Sequence, residues 1–313
     1  EFSFSTAAFI TAAQQAGYWW LPDLNAAGIG MGAVPLNILD GLRVGPGTAF
    51  LVPVLARSNL TVLTDTRVTR VRTSGGRVTG VDAVGARGPV VLDADRVVLS
   101  AGAIATAHLL MLSGIGPADE LAAHRIGVVS DLSVGQRCWD HPEWMMSTGW
   151  MATSGRPVLE AVLVTDDLEI RPYTSGFGVR AEPSIGVALM RPRSHGRVSL
   201  VSSDSAVPPR IEHRYDSEPA DLADLQRGCD LVIEMIGSTI ELGEPTWSTS
   251  QHLCGTAPMG IEGDEYAVLD PQCRVLGVPG LWVIDASVLP RIPSRGPHAT
   301  IAMIGHRGAE FVR

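Results

Sequence analysis

Two histidines stand where an imidazole can do chemistry: His252, which opens HLCGTAPMG (252–260), and His298, in PHATIAMIG (297–305). Each lies just before a stretch rich in Gly, Ala and Thr and near an apolar run that reads as a buried strand. Between them Asp285 closes the run LWVID. Ligands collect at strand ends in sheets of this kind, so distance along the chain does not keep the two rings from one site. One imidazole can take the proton of a hydroxyl while the second holds or polarises the same oxygen. Loss of that proton makes the neighbouring carbon a better hydride donor, and since no side chain accepts hydride, a cofactor is implied. The competing reading of each ring is a structural hydrogen-bonding role. The other six histidines, His108, His124, His141, His195, His213 and His306, lack this setting and are assigned no chemistry. Neither H-x-x-x-H nor H-E-x-x-H spacing occurs, so no metal site is expected.

The elements that must position these residues can be read from periodicity. Residues 5–17 carry apolar positions at helical spacing with a Ser/Thr start and a Gly stop, and 48–59 reads as a second helix interrupted by Pro53. From Asn59 the period changes to that of two or three short strands, with Ser74-Gly75-Gly76 as a hairpin turn. RVVLS (96–100) reads as a buried strand, followed by Ala101-Gly102-Ala103 and an apolar helix ending at Ser113-Gly114. That order points a helix N-terminus at a strand end, where a nucleotide phosphate can approach closely. Residues 141–213 alternate or are β-branched and predict an antiparallel sheet. A helix follows over 218–237, then the buried strand of GLWVIDASVLP and a terminal helix over 297–312. Trp139, Trp144, Met145 and Met146 could line a pocket, but packing is the favoured reading.

Composition narrows the class. The chain has 313 residues, 45% of them hydrophobic and 18% charged, enough for about two folded domains with real cores. A formal charge of -9 with scattered basic residues argues against nucleic acid or an anionic membrane as the main partner. No apolar run reaches the roughly 20 residues needed to cross a bilayer. Cys138, Cys229, Cys254 and Cys273 are far apart and read as free thiols in a reducing cytoplasm. The chain starts with neither Met nor an apolar leader, so targeting information is expected to lie outside it if it exists.

VVLSAGAIATAHLLMLSGIGP (97–117) resembles the second signature of the glucose-methanol-choline (GMC) oxidoreductases, flavoproteins that use FAD. The likeness continues in family order through VGQRCWDHP (134–142), HLCGTAPMG, LDPQCRVLGVPGLWVIDASVLP (269–290) and PHATIAMIG, with NLTVLTDTRVTRV (59–71) upstream. It implies an α/β fold: an incomplete Rossmann-like FAD-binding module over 1–135 and 252–313, with an antiparallel-sheet substrate domain over 136–251. His252 matches the active-site histidine that serves as base, and His298 the second active-site position. Val68 matches the position that meets the adenine, Ala101-Gly102 the turn beside the nucleotide, and Asp285-Ala286 the pair near the ribityl and phosphate portion. Ala299-Thr300-Ile301 opens the helix aimed at the isoalloxazine, whose N-terminus would favour the negative charge of a reduced flavin. Ala107, Ala257 and RCWDHP depart from common forms of the signatures. The short connections look like those of actinobacterial dehydrogenases associated with mycofactocin.

No G-x-G-x-x-G unit of correct spacing follows a strand: GIGMGA (28–33), GPGTAF (45–50) and GIGPAD (114–119) all fail. A dinucleotide-binding segment is therefore expected outside this sequence, as contiguous chain or as a separate one. The strand in RVVLS is expected to need neighbours on both sides. The resemblance implies FAD-dependent oxidation of a small-molecule alcohol, with oxygen, a quinone or a redox carrier as electron acceptor. Three readings compete with it: a lyase of the same fold that breaks down cyanohydrins, a serine hydrolase using Ser287 or Ser100, and an inactive interaction fragment. The hydrolase lacks a G-x-S-x-G elbow.

Overall fold

The computed structural model describes residues 1–26, 28–176 and 182–312. Its largest sheet has six antiparallel strands, in the spatial order Gly30–Ala33, Ala161–Val164, Leu168–Tyr173, Ser184–Leu189, Pro142–Ser147 and Thr246–Thr249. Alternation along these strands separates two faces. Met31, Met146, Leu163, Ile170, Ile185 and Val187 form a core with helices α1 (Phe4–Gln15) and α4 (Pro219–Ile236). The intervening residues Glu143, Glu169, Arg171 and Tyr173 fall on the opposite face, yet all four are buried. The sheet expected over 141–213 is present as far as Leu189, with Gly30–Ala33 and Thr246–Thr249 as its outer strands, while Arg197–Ser199 pairs with Arg210–Glu212 in a separate two-stranded sheet.

Helix α1 starts at Ser3, whose hydroxyl accepts the Thr6 N–H. Helix α4 has Pro219 in its first turn and buries Asp221, Asp224, Leu225, Gly228, Cys229, Val232 and Ile236, one stripe at helical spacing. Both helices match their sequence expectations within about two residues. The helix expected over 48–59 does not form. Gly47–Leu51 makes a single wide turn and Val52–Val54 a short 3-10 turn, because Pro53 brings no N–H to continue the ladder.

A second core surrounds α2 (Gly102–Leu112). Its sequence is apolar on every side, and Ala103, Thr106, Ala107 and Leu109 to Leu112 are all buried, while Ile104 and Ala105 in its first turn are exposed. A meander of Arg67–Ser74, Arg77–Gly85 and Gly88–Asp93 packs near it. The Gly75-Gly76 turn has φ of 56° and 78°, the pair of positive values a tight hairpin requires. Ser113 links helix to meander: its Oγ donates to the Leu109 carbonyl and accepts the Val71 N–H at 2.8 Å. The expected strand Val97–Leu99 precedes α2 and pairs in parallel with Leu281–Val283. Among the described residues it has that one neighbour. The short helix α3 (Ala118–Ala123) and the terminal helix α5 (His298–Phe311) complete the α-helices among the described residues.

Candidate active site

The strand pair Pro142–Ser147 and Thr246–Thr249 delivers His141 and His252 to the same place. Pro142 lies opposite Thr249 in the ladder, and the Ser250 N–H donates to the His141 carbonyl at 3.2 Å. The residues just before one strand and just after the other must therefore meet. Asp140 fixes both. One of its carboxylate oxygens, Oδ1, accepts the backbone N–H of His141 at 2.8 Å and of His252 at 2.9 Å. The other, Oδ2, accepts the Tyr215 hydroxyl at 2.5 Å and the Thr249 hydroxyl.

The two rings meet edge to face with centroids 5.1 Å apart. His141 Nδ1 lies 2.9 Å from His252 Nδ1, and His141 Nε2 lies 3.0 Å from the Pro293 carbonyl. The Nε2 edge of His252 faces Gly296, where a methyl group would sit 3.4 Å from it. Beyond His252 the chain is anchored on both sides. Cys254 exchanges two backbone hydrogen bonds with Trp139, and the N–H groups of Gly255 and Ala257 donate to the carbonyls of Ala286 and Ser287. Gly255 has a φ of 75°, and a side chain there would strike the Leu289 carbonyl at 2.8 Å and the Trp139 ring at 2.9 Å.

Behind the histidines the polar face of the large sheet carries a buried ionic network, with Arg295 3.8 Å from Glu169 at its edge. Arg171 donates to Ser250 Oγ at 2.7 Å, to Glu169 at 2.7 and 3.1 Å and to Glu143 at 3.3 Å, while the Tyr173 hydroxyl donates to Glu143 at 3.1 Å. Burial works against the Arg171 charge, but Glu143 and Glu169 outweigh it and hold the guanidinium protonated. That cation acts on the imidazoles. Burial, then Arg171, push His252 down to about 4 against the opposing pull of Asp140 and Glu169. His141 is pushed down to about 3 by burial, then by His252 and Arg171, against the carbonyls of Pro293 and Met190. Both rings are neutral at pH 7.

His298 is the first residue of α5, is exposed, and has its Nε2 2.9 Å from Asn37 Nδ2. It is thus bonded to Asn37 rather than to His252. Gly296, two residues earlier, brings the His252 ring against the segment that carries His298. Ala299, Thr300 and Ile301 fill the first turn of α5, where N–H groups lack intrahelical acceptors, apart from the Ile301 N–H, which reaches the Pro297 carbonyl at 2.9 Å.

Asp285 is buried and committed within the chain. Its carboxylate accepts the Gly102 N–H at 2.9 Å, the Thr106 hydroxyl at 2.6 Å and the Ser287 N–H at 2.8 Å. It therefore clamps the Ala101-Gly102 turn against Ala286. Val68 lies apart on the three-stranded meander, opposite Ala83 and 36% exposed.

Of the aromatic and Met residues near the site, Met145 and Met146 are buried, Trp144 packs edge-on against Trp247 and Trp139 lies against His195. Ser100 donates to the Ile284 carbonyl, and the buried Ser287 hydroxyl has no partner among the described residues, so neither is paired with a histidine. No cluster of described residues has the makings of a metal site. Sequence reading missed Asp140, His141, Asn37 and Arg171. The adjacent Asp-His pair in RCWDHP, next to a predicted strand, was the one available signal.

Family models described as GMC oxidoreductase match residues 1–143 and 192–305. The chain is 39% identical to an uncharacterized GMC-type oxidoreductase in the thcA 5' region of Rhodococcus erythropolis, over 97% of this chain and 67% of that protein. It is 33% identical to choline oxidase from Arthrobacter globiformis, over 88% of this chain and 59% of the oxidase. The chain thus spans about six-tenths to two-thirds of these relatives. Among solved structures, pyridoxine 4-oxidase from Mesorbium loti superposes with a TM-score of 0.89 at 27% identity, over 99% of this chain and 70% of the other.

Proposed function

The chain belongs to the GMC oxidoreductase family of FAD-dependent enzymes, and we propose that it carries the substrate-side machinery for oxidation of a small-molecule alcohol, with His252 as the base. The single observation behind this reading is a neutral, partly buried imidazole whose Nε2 edge faces the start of α5. Bound FAD would supply the hydride acceptor, which no side chain can provide. The chain's residues fit such a cofactor. Val98 and Ile104, on the strand and helix flanking the Ala101-Gly102 turn, and Met303 on α5 are exposed apolar side chains. The first-turn N–H groups of α5 at Ala299 and Thr300 offer partial positive charge. Val68, Ala101, Gly102, Ala286, Ala299, Thr300 and Ile301 are the residues that would hold it, with Asp285 acting indirectly by clamping the turn.

His252 accepts the hydroxyl proton at Nε2, and His298, held by Asn37, positions the alcohol oxygen. The hydride leaves the carbon that bears this oxygen, so with the hydroxyl proton the alcohol gives up two electrons and two hydrogens and becomes a carbonyl compound. The strand Val97–Leu99, paired on one side only among the described residues, supports docking of a further dinucleotide-binding segment, and four buried free thiols support a reducing, cytoplasmic setting. Oxygen, a quinone or a redox carrier would act as electron acceptor. No helix among the described residues is long and apolar enough to cross a membrane. The test is anaerobic reduction of the FAD-loaded enzyme by a panel of alcohols. His252→Ala should keep FAD bound and slow reduction by roughly 10² to 10⁴-fold. An unchanged rate would remove His252 from the role of base.

A further inference from the structure

The contact between His141 and His252 decides which nitrogen of His252 is free to take a proton. A carbonyl oxygen only accepts, so the 3.0 Å contact with Pro293 requires a proton on His141 Nε2. In a neutral imidazole the other nitrogen, His141 Nδ1, is then a lone-pair acceptor. The atom facing it at 2.9 Å, His252 Nδ1, must in turn be the donor. In a neutral His252 the remaining nitrogen, Nε2, carries no proton. The opposite assignment would place a lone pair of His141 against a carbonyl lone pair. A doubly protonated His141 is disfavoured by burial and by the charge of Arg171.

We propose that His141 is a positioning residue that fixes His252 as the Nδ1–H tautomer, leaving Nε2 as the unprotonated base on the Gly296 side. Its ring reads the Pro293 carbonyl and passes that polarity to His252, much as a second partner fixes the tautomer of any functional histidine. Asp140 supports this by holding both backbones, which keeps the two main-chain positions close enough for the rings to meet. When His252 gains the hydroxyl proton, its Nδ1–H already points at the Nδ1 lone pair of His141, and the new cation keeps that hydrogen bond.

This inference rests on His252 being the base, but it is tested separately. Histidine-selective 15N labelling of the full chain, with long-range proton–nitrogen correlation, reports which ring nitrogens bear protons. His252→Ala and His141→Asn assign the signals. The expected result is a protonated Nδ1 and bare Nε2 at His252, with a protonated Nε2 at His141. His141→Leu removes the acceptor and should shift His252 toward the Nε2–H form. In His141→Asn the side-chain carbonyl can still accept from His252 Nδ1–H, so the native tautomer should persist. In the FAD-loaded enzyme His141→Leu should lower the limiting rate of alcohol-driven flavin reduction roughly 10²-fold and leave the alcohol's apparent Kd little changed, with recovery in His141→Asn.

A proton on Nε2 of His252 in the parent chain overturns the proposal, as does a tautomer pattern unaltered by His141→Leu. If that variant does not fold, the parent spectrum and His141→Asn decide. Native tautomers combined with full activity in His252→Ala would refute the base and leave the histidine pair as structure.

Discussion

Replacing Asp140 with Asn changes one oxygen into an amino group and removes one charge at the point where the two strands hand over to the histidines. The native carboxylate is 6% exposed and accepts two backbone N–H groups and two hydroxyls. Hydrogen bonds to an ionised group are worth about 1.5 to 3 kcal/mol and those to a neutral one about 0.5 to 1.5 kcal/mol, so each of the four weakens by about 1 kcal/mol. The Asn carbonyl can keep both N–H bonds. Its amino group then faces Tyr215 and Thr249, whose hydroxyls can rotate to accept. Allowing for that relaxation, Asp140→Asn should cost about 2 to 4 kcal/mol. Urea unfolding followed by circular dichroism measures it. A second readout separates anchor from bystander: Asp140 raises the pKa of His252, so its neutralisation should push that imidazole still lower. A loss below about 0.5 kcal/mol, or a rise in the His252 pKa, would refute the placement of Asp140 as the charged anchor.

Arg171→Met should destabilise by about 3 to 5 kcal/mol because it strands Glu143 in the interior and leaves Glu169 with Arg295 alone at 3.8 Å. It should also raise the pKa of His252 and His141, both of which Arg171 holds down, as a 15N titration would show. Gly255→Ala should cost about 2 kcal/mol or more, from a left-handed backbone and a collision with the Leu289 carbonyl, seen as a lower urea midpoint. Acidification should weaken the fold. Folded His252 titrates near 4 and the unfolded ring near 6.5, so between these values the unfolded chain binds more protons and stability falls as pH drops. Each histidine contributes up to about 1.4 kcal/mol per pH unit. Unfolding free energies at pH 7, 6 and 5 should show this slope, and it should shrink in His252→Ala.

Local pattern carried much of the fold. The helices over 5–17, 218–237 and 297–312 and the hairpin at Gly75-Gly76 were legible because each is fixed by a repeat or turn within a short window. The 48–59 segment failed because Pro53 lies inside an apolar run whose spacing imitates a helix. The site was legible in part. His252 stood out through its own setting, but its partner lies 111 positions away and is brought there by strand register. His141 looked bland because nothing near it in sequence shows that Thr249 will pair with Pro142. Asp285 shows the converse: a polar residue at a strand end invites a ligand role, yet its oxygens are spent on Gly102, Thr106 and Ser287.

The buried ionic network is hard to justify as a source of stability. An ion pair removed from water is often no better than well-packed apolar side chains of the same size. Its placement behind two imidazoles gives it another consequence. Glu169 without Arg171 would raise the pKa of His252, and in the role proposed for it a protonated His252 could not accept a proton. Arg171 reverses that bias while its own charge is held by the same carboxylates. A double replacement that removes both charge signs, Arg171→Met with Glu169→Gln, should therefore recover part of the stability lost in Arg171→Met alone, because only Glu143 is left as an uncompensated buried carboxylate. It should leave the His252 pKa above that of the parent, since Arg171 lowers it more than Glu169 raises it. Recovery of stability together with a return to the parent pKa would mean that the network acts on packing alone.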